Sequence, residues 1–371
     1  MKNVLGIILN IDGEDTTLKN FLEHRSLSTL PFGGRYRLID FMLSNMVNSG
    51  ITQIGVIGSH KYSSLVDHLG TGKEWSLSRK TQDLSILTGS SNSRIGNMIK
   101  INLRNLLSNR IFIASNPAEH VLLATPNLVT SYNFKEAFTA HLKNDADITM
   151  VYKQDQSIIH KLRDNDLCLE LMNDRISNIH FCKMRRTSLF FTEMLLIKKS
   201  ILLKFLEFSE RSGDWDLIDM IQSNMDTLNI FGFNHTGYLK RVDTLINYVD
   251  TSMDLLEYEV VQELFRDDNP IYTKIKDNHP TYFNDPSKVS SSIIGSGCII
   301  DGAVSRSIIF RDTEIDKNSK IQNSILMQHC QIGKNAILNY VVMDKDIVIS
   351  DNTSLIGKPD SPIVIKKGTV I

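Results

Sequence analysis

Three carboxylates crowd one short stretch, Asp12-Gly-Glu-Asp15, just after the apolar run Val4-Leu-Gly-Ile-Ile-Leu9. A carboxylate about 5 Å from a phosphate repels it by roughly 3 kcal/mol at an effective dielectric near 20. Such a segment makes a poor cradle for a nucleotide. Arg25, Arg35 and Arg37, with His24 close by, have the opposite character, and read by themselves they are solvated arginines or an Arg37–Asp40 surface pair. His180 with Cys182 and His329 with Cys330 each offer two metal ligands, and neither has a second pair to complete a tetrahedral site. Cys168, Cys182, Cys298 and Cys330 lack C-x-x-C spacing, so neither a disulfide framework nor a zinc site is expected, and a reducing cytoplasm fits.

The elements that would position these residues fall into two kinds. The 371 residues are too many for one ordinary core and suit two domains. With 42% hydrophobic and 22% charged residues the chain has a globular composition, and its net charge of −1 gives no overall attraction to nucleic acid or a membrane surface. No apolar run approaches the roughly 20 residues a membrane span requires. The apolar N-terminus is too short for a signal peptide and runs straight into acidic residues, so a buried first strand is expected. Residues 1–265 alternate short apolar runs (4–9, 53–57, 120–124, 148–152) with amphipathic ones (36–48, 134–143), Asn133 being placed to cap the second. This alternation predicts an α/β domain with a mostly parallel sheet, whose ligands sit beyond the carboxyl ends of the strands.

Residues 266–288, rich in Pro and Asx, read as an extended connector. Residues 289–371 then repeat one template: Ile294-Gly-Ser-Gly-Cys298, Ile315-Asp-Lys-Asn-Ser319, Ile332-Gly-Lys-Asn-Ala336, Ile349-Ser-Asp-Asn-Thr353 and Ile365-Lys-Lys-Gly-Thr369. The last four copies recur every 16 to 17 residues, close to three hexapeptides, as in a parallel β-helix. Ile should point inward, Asn or Gly should take a left-handed corner, and a small residue should fill the next inward place. A β-sandwich with coincidental spacing is the alternative.

Pro31-Phe-Gly-Gly-Arg-Tyr-Arg-Leu-Ile-Asp-Phe-Met-Leu-Ser-Asn-Met-Val-Asn-Ser-Gly50 and His68-Leu-Gly-Thr-Gly-Lys-Glu-Trp-Ser-Leu-Ser-Arg79 resemble two segments of the ADP-glucose pyrophosphorylase (glucose-1-phosphate adenylyltransferase) family. The resemblance runs through the connector and the repeats. It implies a Rossmann-like, GT-A-like nucleotidyltransferase domain followed by a left-handed parallel β-helix. The family makes ADP-glucose from ATP and glucose 1-phosphate as tetramers regulated by small anionic metabolites.

Against that family the catalytic positions have changed. Its G-G-x-G-x-R-L loop corresponds to Asp12-Gly-Glu-Asp-Thr-Thr-Leu18, so Asp12 and Asp15 replace glycines and Thr17 replaces the arginine. A displaced loop with its carboxylates in solvent is the alternative, and it too leaves no phosphate cradle. The metal-binding aspartates correspond to Asn127 and Arg241, with Asp243 a possible substitute on the same strand face. The F-V-E-K-P sugar-phosphate segment corresponds to a stretch with Cys182 and with Lys183 as its nearby cation, and the G-T-A of the nucleotide pocket to Arg94-Ile-Gly96. The resemblance is therefore to the non-catalytic, regulatory GlgD-type subunits of Gram-positive bacteria. It implies no bound cofactor, with the Mg²⁺ site lost, and a heterotetramer with a catalytic subunit, alongside self-association. It also implies an anionic phosphometabolite held near Arg25, Arg35 and Arg37, where Leu27 replaces the usual lysine. A working nucleotidyltransferase with altered specificity, and a β-helix acyltransferase using His329 and coenzyme A, are the competing readings. Trp75 and Trp215 read as packing residues, and Lys366-Lys367 as a solvated turn.

Overall fold

The computed structural model describes residues 1–9, 16–58, 61–79, 82–89, 101–154, 166–182, 189–284 and 288–371. Asp12, Glu14, Asp15, Arg94, Gly96 and Lys183 lie outside the described residues, as does the side chain of Thr17.

A ten-stranded sheet forms the centre of the first part of the chain. Val4–Leu9, all six residues buried, lies between Gln53–Ile57 and His120–Ala124 and runs parallel to both. Leu189–Lys198 pairs antiparallel with both His120–Ala124 and Ile148–Gln154, while Ile230–Asn234 rejoins Ile148–Gln154 in parallel. Successive side chains point to opposite faces of a strand. Leu5, Ile7 and Leu9 accordingly join one apolar cluster with the helices Leu103–Leu107, Lys199–Ser212 and Leu217–Gln222. Val4 and Ile8 join another with Leu38–Asn48, Ser63–Leu69 and Phe134–Lys143. The sheet is thus covered on both faces, as an alternating strand–helix sequence requires.

Local chemistry sets the helix ends. The Asn133 side chain accepts the Lys135 N–H at 3.0 Å and caps Phe134–Lys143. The first amphipathic run becomes a helix only from Leu38, because Tyr36 and Arg37 pair with Phe32 and Pro31 in a two-stranded hairpin. That hairpin turns through Gly33 and Gly34, both at positive φ. A Cβ on Gly34 would stand 3.1 Å from Ile293 Cγ2, so the turn presses directly on the second domain.

The C-terminal part winds three five-stranded parallel sheets into a left-handed β-helix. Its first strand, Tyr282–Phe283, pairs with Ile299–Ile300, so the coils begin inside the segment expected to be connector. The template works as its chemistry demands. Gly297, Asn318, Asn335, Asn352 and Gly368 all take left-handed φ values between 58° and 77°. Ile315, Ile332, Ile349 and Ile365 are buried in the prism, as are Cys298, Ser319 and Ala336. The two domains share a core: Phe32, Leu38 and Phe41 of the retained motif and Tyr248 cluster with Ile308, Phe310, Ile325 and Met327 of the β-helix.

One expectation fails. Cys168 and Cys182 form a disulfide, with Cα atoms 4.9 Å apart. They lie near the open end of the antiparallel pairing between Leu167–Met172 and Arg175–Phe181, where Leu167 faces Phe181. Proximity across a hairpin is invisible to linear cysteine spacing. Cys298 and Cys330 are buried free thiols. Among the described residues no helix is long and apolar enough to cross a membrane.

Candidate functional site

Two places concentrate charge, and each collects residues from distant parts of the chain. The first lies beyond the carboxyl end of His120–Ala124, where parallel sheets place their chemistry. The chain turns there through Asn127 and enters Leu128–Thr130, which pairs antiparallel with Leu239–Arg241. Arg241 faces Leu128, and the Val242 N–H donates to the Asn127 carbonyl at 2.8 Å. The positions matching the family's two metal-binding aspartates are therefore neighbours. Asn127 is buried, and its Oδ1 has no hydrogen-bond partner among the described residues.

Arg241 has several partners. Its Nη2 donates to both Asp166 oxygens at 2.6 and 2.7 Å, and its Nε donates to Asp243 Oδ2 at 2.6 Å. Its Nη1 lies 3.5 Å from Glu193 Oε1. All four side chains are at least nine-tenths buried. Burial alone would pull the guanidinium pKa down, but Glu193, Asp243 and Asp166 outweigh it, raise the pKa and hold the cation charged. The guanidinium carbon also sits 5.0 Å from the centre of the Phe190 ring, and Phe190 packs against Cys168 and Cys182.

Asp166 is positioned through its backbone: the Cys182 N–H donates to its carbonyl at 2.7 Å. Glu193 sits at an irregularity in the Leu189–Lys198 strand between Phe191 and Met194, with φ at 62°. A buried glutamate in left-handed conformation is a strained arrangement held by its surroundings. Motif matching pointed to Arg241, Asn127, Cys182 and Asp243 but missed Asp166 and Glu193. No sequence motif contains those two, and only the hairpin and the strand irregularity bring them in. These residues do not fit a divalent cation: Asn127 offers a neutral amide, and the carboxylates beside it bind the buried Arg241 guanidinium. Asp243 is engaged by Arg241 and by the Asn247 amide, at 2.8 Å.

The second place is a small cavity of about 50 Å³ between the two domains. The retained hairpin lines it with Arg35, Tyr36 and Arg37, the connector with Lys274 and Lys276, and the β-helix with Arg311, Gln328, His329 and Lys345. His68 completes the lining, and among the described residues no carboxylate contributes to it. The Arg37 guanidinium donates to the Ser64 carbonyl at 2.9 Å. Burial lowers the pKa of Arg37, opposed by Asp40 and Asp67, with Arg25 and Arg311 adding to the lowering. Burial likewise brings Lys345 down to about 7, again reinforced by Arg25 and Arg37. Cations that depress one another in this way form a site energetically suited to an anion.

Arg25 is not in this lining. It is buried against the β-helix, with Nη2 2.7 Å from Asp344 Oδ1 and Nη1 3.6 Å from Met327 Sδ. Of the three arginines singled out, Arg35 and Arg37 meet in the cavity while Arg25 joins the domains. The Arg37–Asp40 surface pair does not form. Asp40 is buried, accepting the Arg37 backbone N–H and lying 2.6 Å from His68 Nε2. Leu27 packs in the shared core.

The lesser candidates settle into structural roles. His329 sits at a left-handed corner, half exposed and 3.8 Å from Asp312, while Cys330 points into the prism. His180 faces Glu170 at 3.8 Å, and Cys182 is spent in its disulfide. Among the described residues no cluster could hold a metal ion. Trp75 is buried with its Nε1 3.3 Å from Ser44 Oγ, and Trp215 packs beneath Arg104. Lys367 lies 3.5 Å from Asp346 on the surface.

Known proteins share these features. Residues 6–157 match the nucleotidyl transferase family model, and residues 280–361 match the GlmU-like C-terminal hexapeptide model. The chain is 30% identical to the glycogen biosynthesis protein GlgD of Bacillus subtilis, over 99% of this chain and 96% of that one. The chain belongs to the GlgD family. Another member, from Geobacillus stearothermophilus, is 32% identical over 95% of this chain and 93% of its own length. A glucose-1-phosphate adenylyltransferase of Bacillus cereus is 26% identical, over 92% of each chain. This chain thus also aligns over nearly its whole length with an adenylyltransferase.

Proposed function

We propose that this chain is a catalytically silent, regulatory subunit of glucose-1-phosphate adenylyltransferase in glycogen biosynthesis, acting in a hetero-oligomer with an active homologue. The observation that carries the silence is Arg241 bound to Asp166, Glu193 and Asp243. Nucleotidyl transfer needs a cation that reaches the α-phosphate from a carboxylate scaffold. Here the carboxylates are taken up by the protein's own guanidinium, and Asn127 offers a neutral amide.

The regulatory half rests on the interdomain cavity. Its six lysines and arginines come from both domains and the connector, so a bound anion would alter how the domains press together. A phosphorylated metabolite is the ligand class such a cluster suits. The experiment is to mix the chain with an active adenylyltransferase subunit and measure ADP-glucose formation across phosphometabolite concentrations. A complex whose rate or effector response differs from the active subunit alone, with the difference reduced by Arg35→Ala, supports the reading. No complex and no change in response would remove it.

A further inference from the structure

We propose that the Cys168–Cys182 disulfide is a redox latch: a dithiol opens it in the folded protein, loosening the hairpin end that meets Arg241 while the rest of the domain stays in place. The inference rests on the two faces of the hairpin and is independent of whether the chain regulates a partner. Leu167, Leu169, Ile176 and Ile179 join the large core formed with the central sheet and its helices. The hairpin strands Leu167–Met172 and Arg175–Phe181 also pair along their length. That face and that pairing hold without any sulfur. Successive side chains of a strand point to opposite faces, so Cys168 turns away from the large core. There, among the described residues, it forms a buried apolar cluster with Cys182 and Phe190 alone. So few side chains bury little apolar surface, which leaves the covalent bond as the main tie on this face.

Two contacts carry the state of the latch to the charged cluster. The Cys182 N–H donates to the Asp166 carbonyl at 2.7 Å, just beyond the Leu167–Phe181 pair that ends the ladder. Phe190, which pairs with Cys168 across the strands, has its ring centre 5.0 Å from the Arg241 guanidinium carbon. The chemistry is thiol–disulfide exchange. One thiolate of the dithiol attacks a sulfur, forms a mixed disulfide and expels the other cysteine as a thiolate, which takes up a proton. The second thiol of the reductant then displaces the remaining cysteine, leaving two cysteine thiols and an oxidised, cyclic dithiol. A small disulfide such as oxidised glutathione runs the sequence in reverse. Cys298 and Cys330 do not compete. Both are buried, and burial raises both thiol pKa values, that of Cys330 to about 12, so neither offers a reactive thiolate.

The test uses the full-length protein, with dithiothreitol and oxidised glutathione as probes. Thiols are counted by alkylation and mass spectrometry, and amide hydrogen exchange is mapped along the chain. Dithiothreitol under native conditions should yield two alkylated residues, Cys168 and Cys182, and oxidised glutathione should close the pair again. On reduction the Cys182 amide should exchange at least roughly tenfold faster, with protection in His120–Ala124 and Ile148–Gln154 unchanged. A variant carrying both Cys168→Ser and Cys182→Ser should stay folded, show the faster exchange throughout and respond to neither reagent. Resistance to dithiothreitol below the unfolding transition would make the bond a buried staple and overturn the proposal. So would loss of protection across the whole domain on reduction, an unchanged Cys182 amide, or a reduced protein that oxidised glutathione does not close between these two cysteines. A double variant that fails to fold would overturn it as well.

Discussion

Lys345 is the residue whose chemistry is most exposed to test. Burial and the neighbouring Arg25 and Arg37 bring its pKa to about 7, so its charge changes near neutral pH. An anion binds the protonated form. Affinity is therefore fully present below about pH 7 and weakens as pH rises through that value. Sulfate is the suitable probe because its own charge is constant there, and calorimetric titration should show the decline in the wild-type protein. Lys345→Met should bind more weakly and flatten the profile; an unchanged slope would place the titration elsewhere. Arg25 belongs to a different class despite its place in the same segment. Arg25→Ala leaves Asp344 buried without its partner, which costs about 3–5 kcal/mol in comparable cases. Denaturant unfolding should show that loss, whereas Arg35→Ala should weaken sulfate binding with little change in stability.

At the scale of elements, the β-helix corners carry a prediction of their own. Asn335 sits at φ 58°, a conformation that costs a residue with a Cβ roughly 1–2 kcal/mol. Asn335→Val should lose about that much in thermal unfolding, and Asn335→Gly should be nearly neutral. These corners were legible in the sequence because each repeat reports its own geometry through one Asn or Gly. The buried strands were legible too, Val4–Leu9, Gln53–Ile57 and His120–Ala124 matching their expected bounds. What escaped depends on contacts across space. Tyr36 and Arg37 fit a helical pattern but are drawn into pairing with Pro31 and Phe32. Cys168 and Cys182 meet only once a hairpin folds. Glu193 reaches Arg241 only because its strand is irregular, which nothing in Leu-Phe-Phe-Thr-Glu-Met announces.

One apolar cluster reaches from Val129 and Val242, beside Arg241, to Tyr36, which lines the cavity. The segment that carries the family resemblance serves packing more than chemistry. Phe32 and Phe41 meet the β-helix, Asp40 holds His68, and the Asn45 side chain bonds the Thr130 carbonyl at 2.9 Å. On the proposed reading, the fold keeps this segment while Arg241 holds the carboxylates that would bind a catalytic cation. Catalytic silence is tested by ADP-glucose formation from ATP and glucose 1-phosphate by the purified chain alone, in Mg²⁺, after removal of any active homologue. No product should appear above background at any Mg²⁺ concentration. Turnover that scales with the amount of this chain and is lost in Asp166→Asn would contradict it.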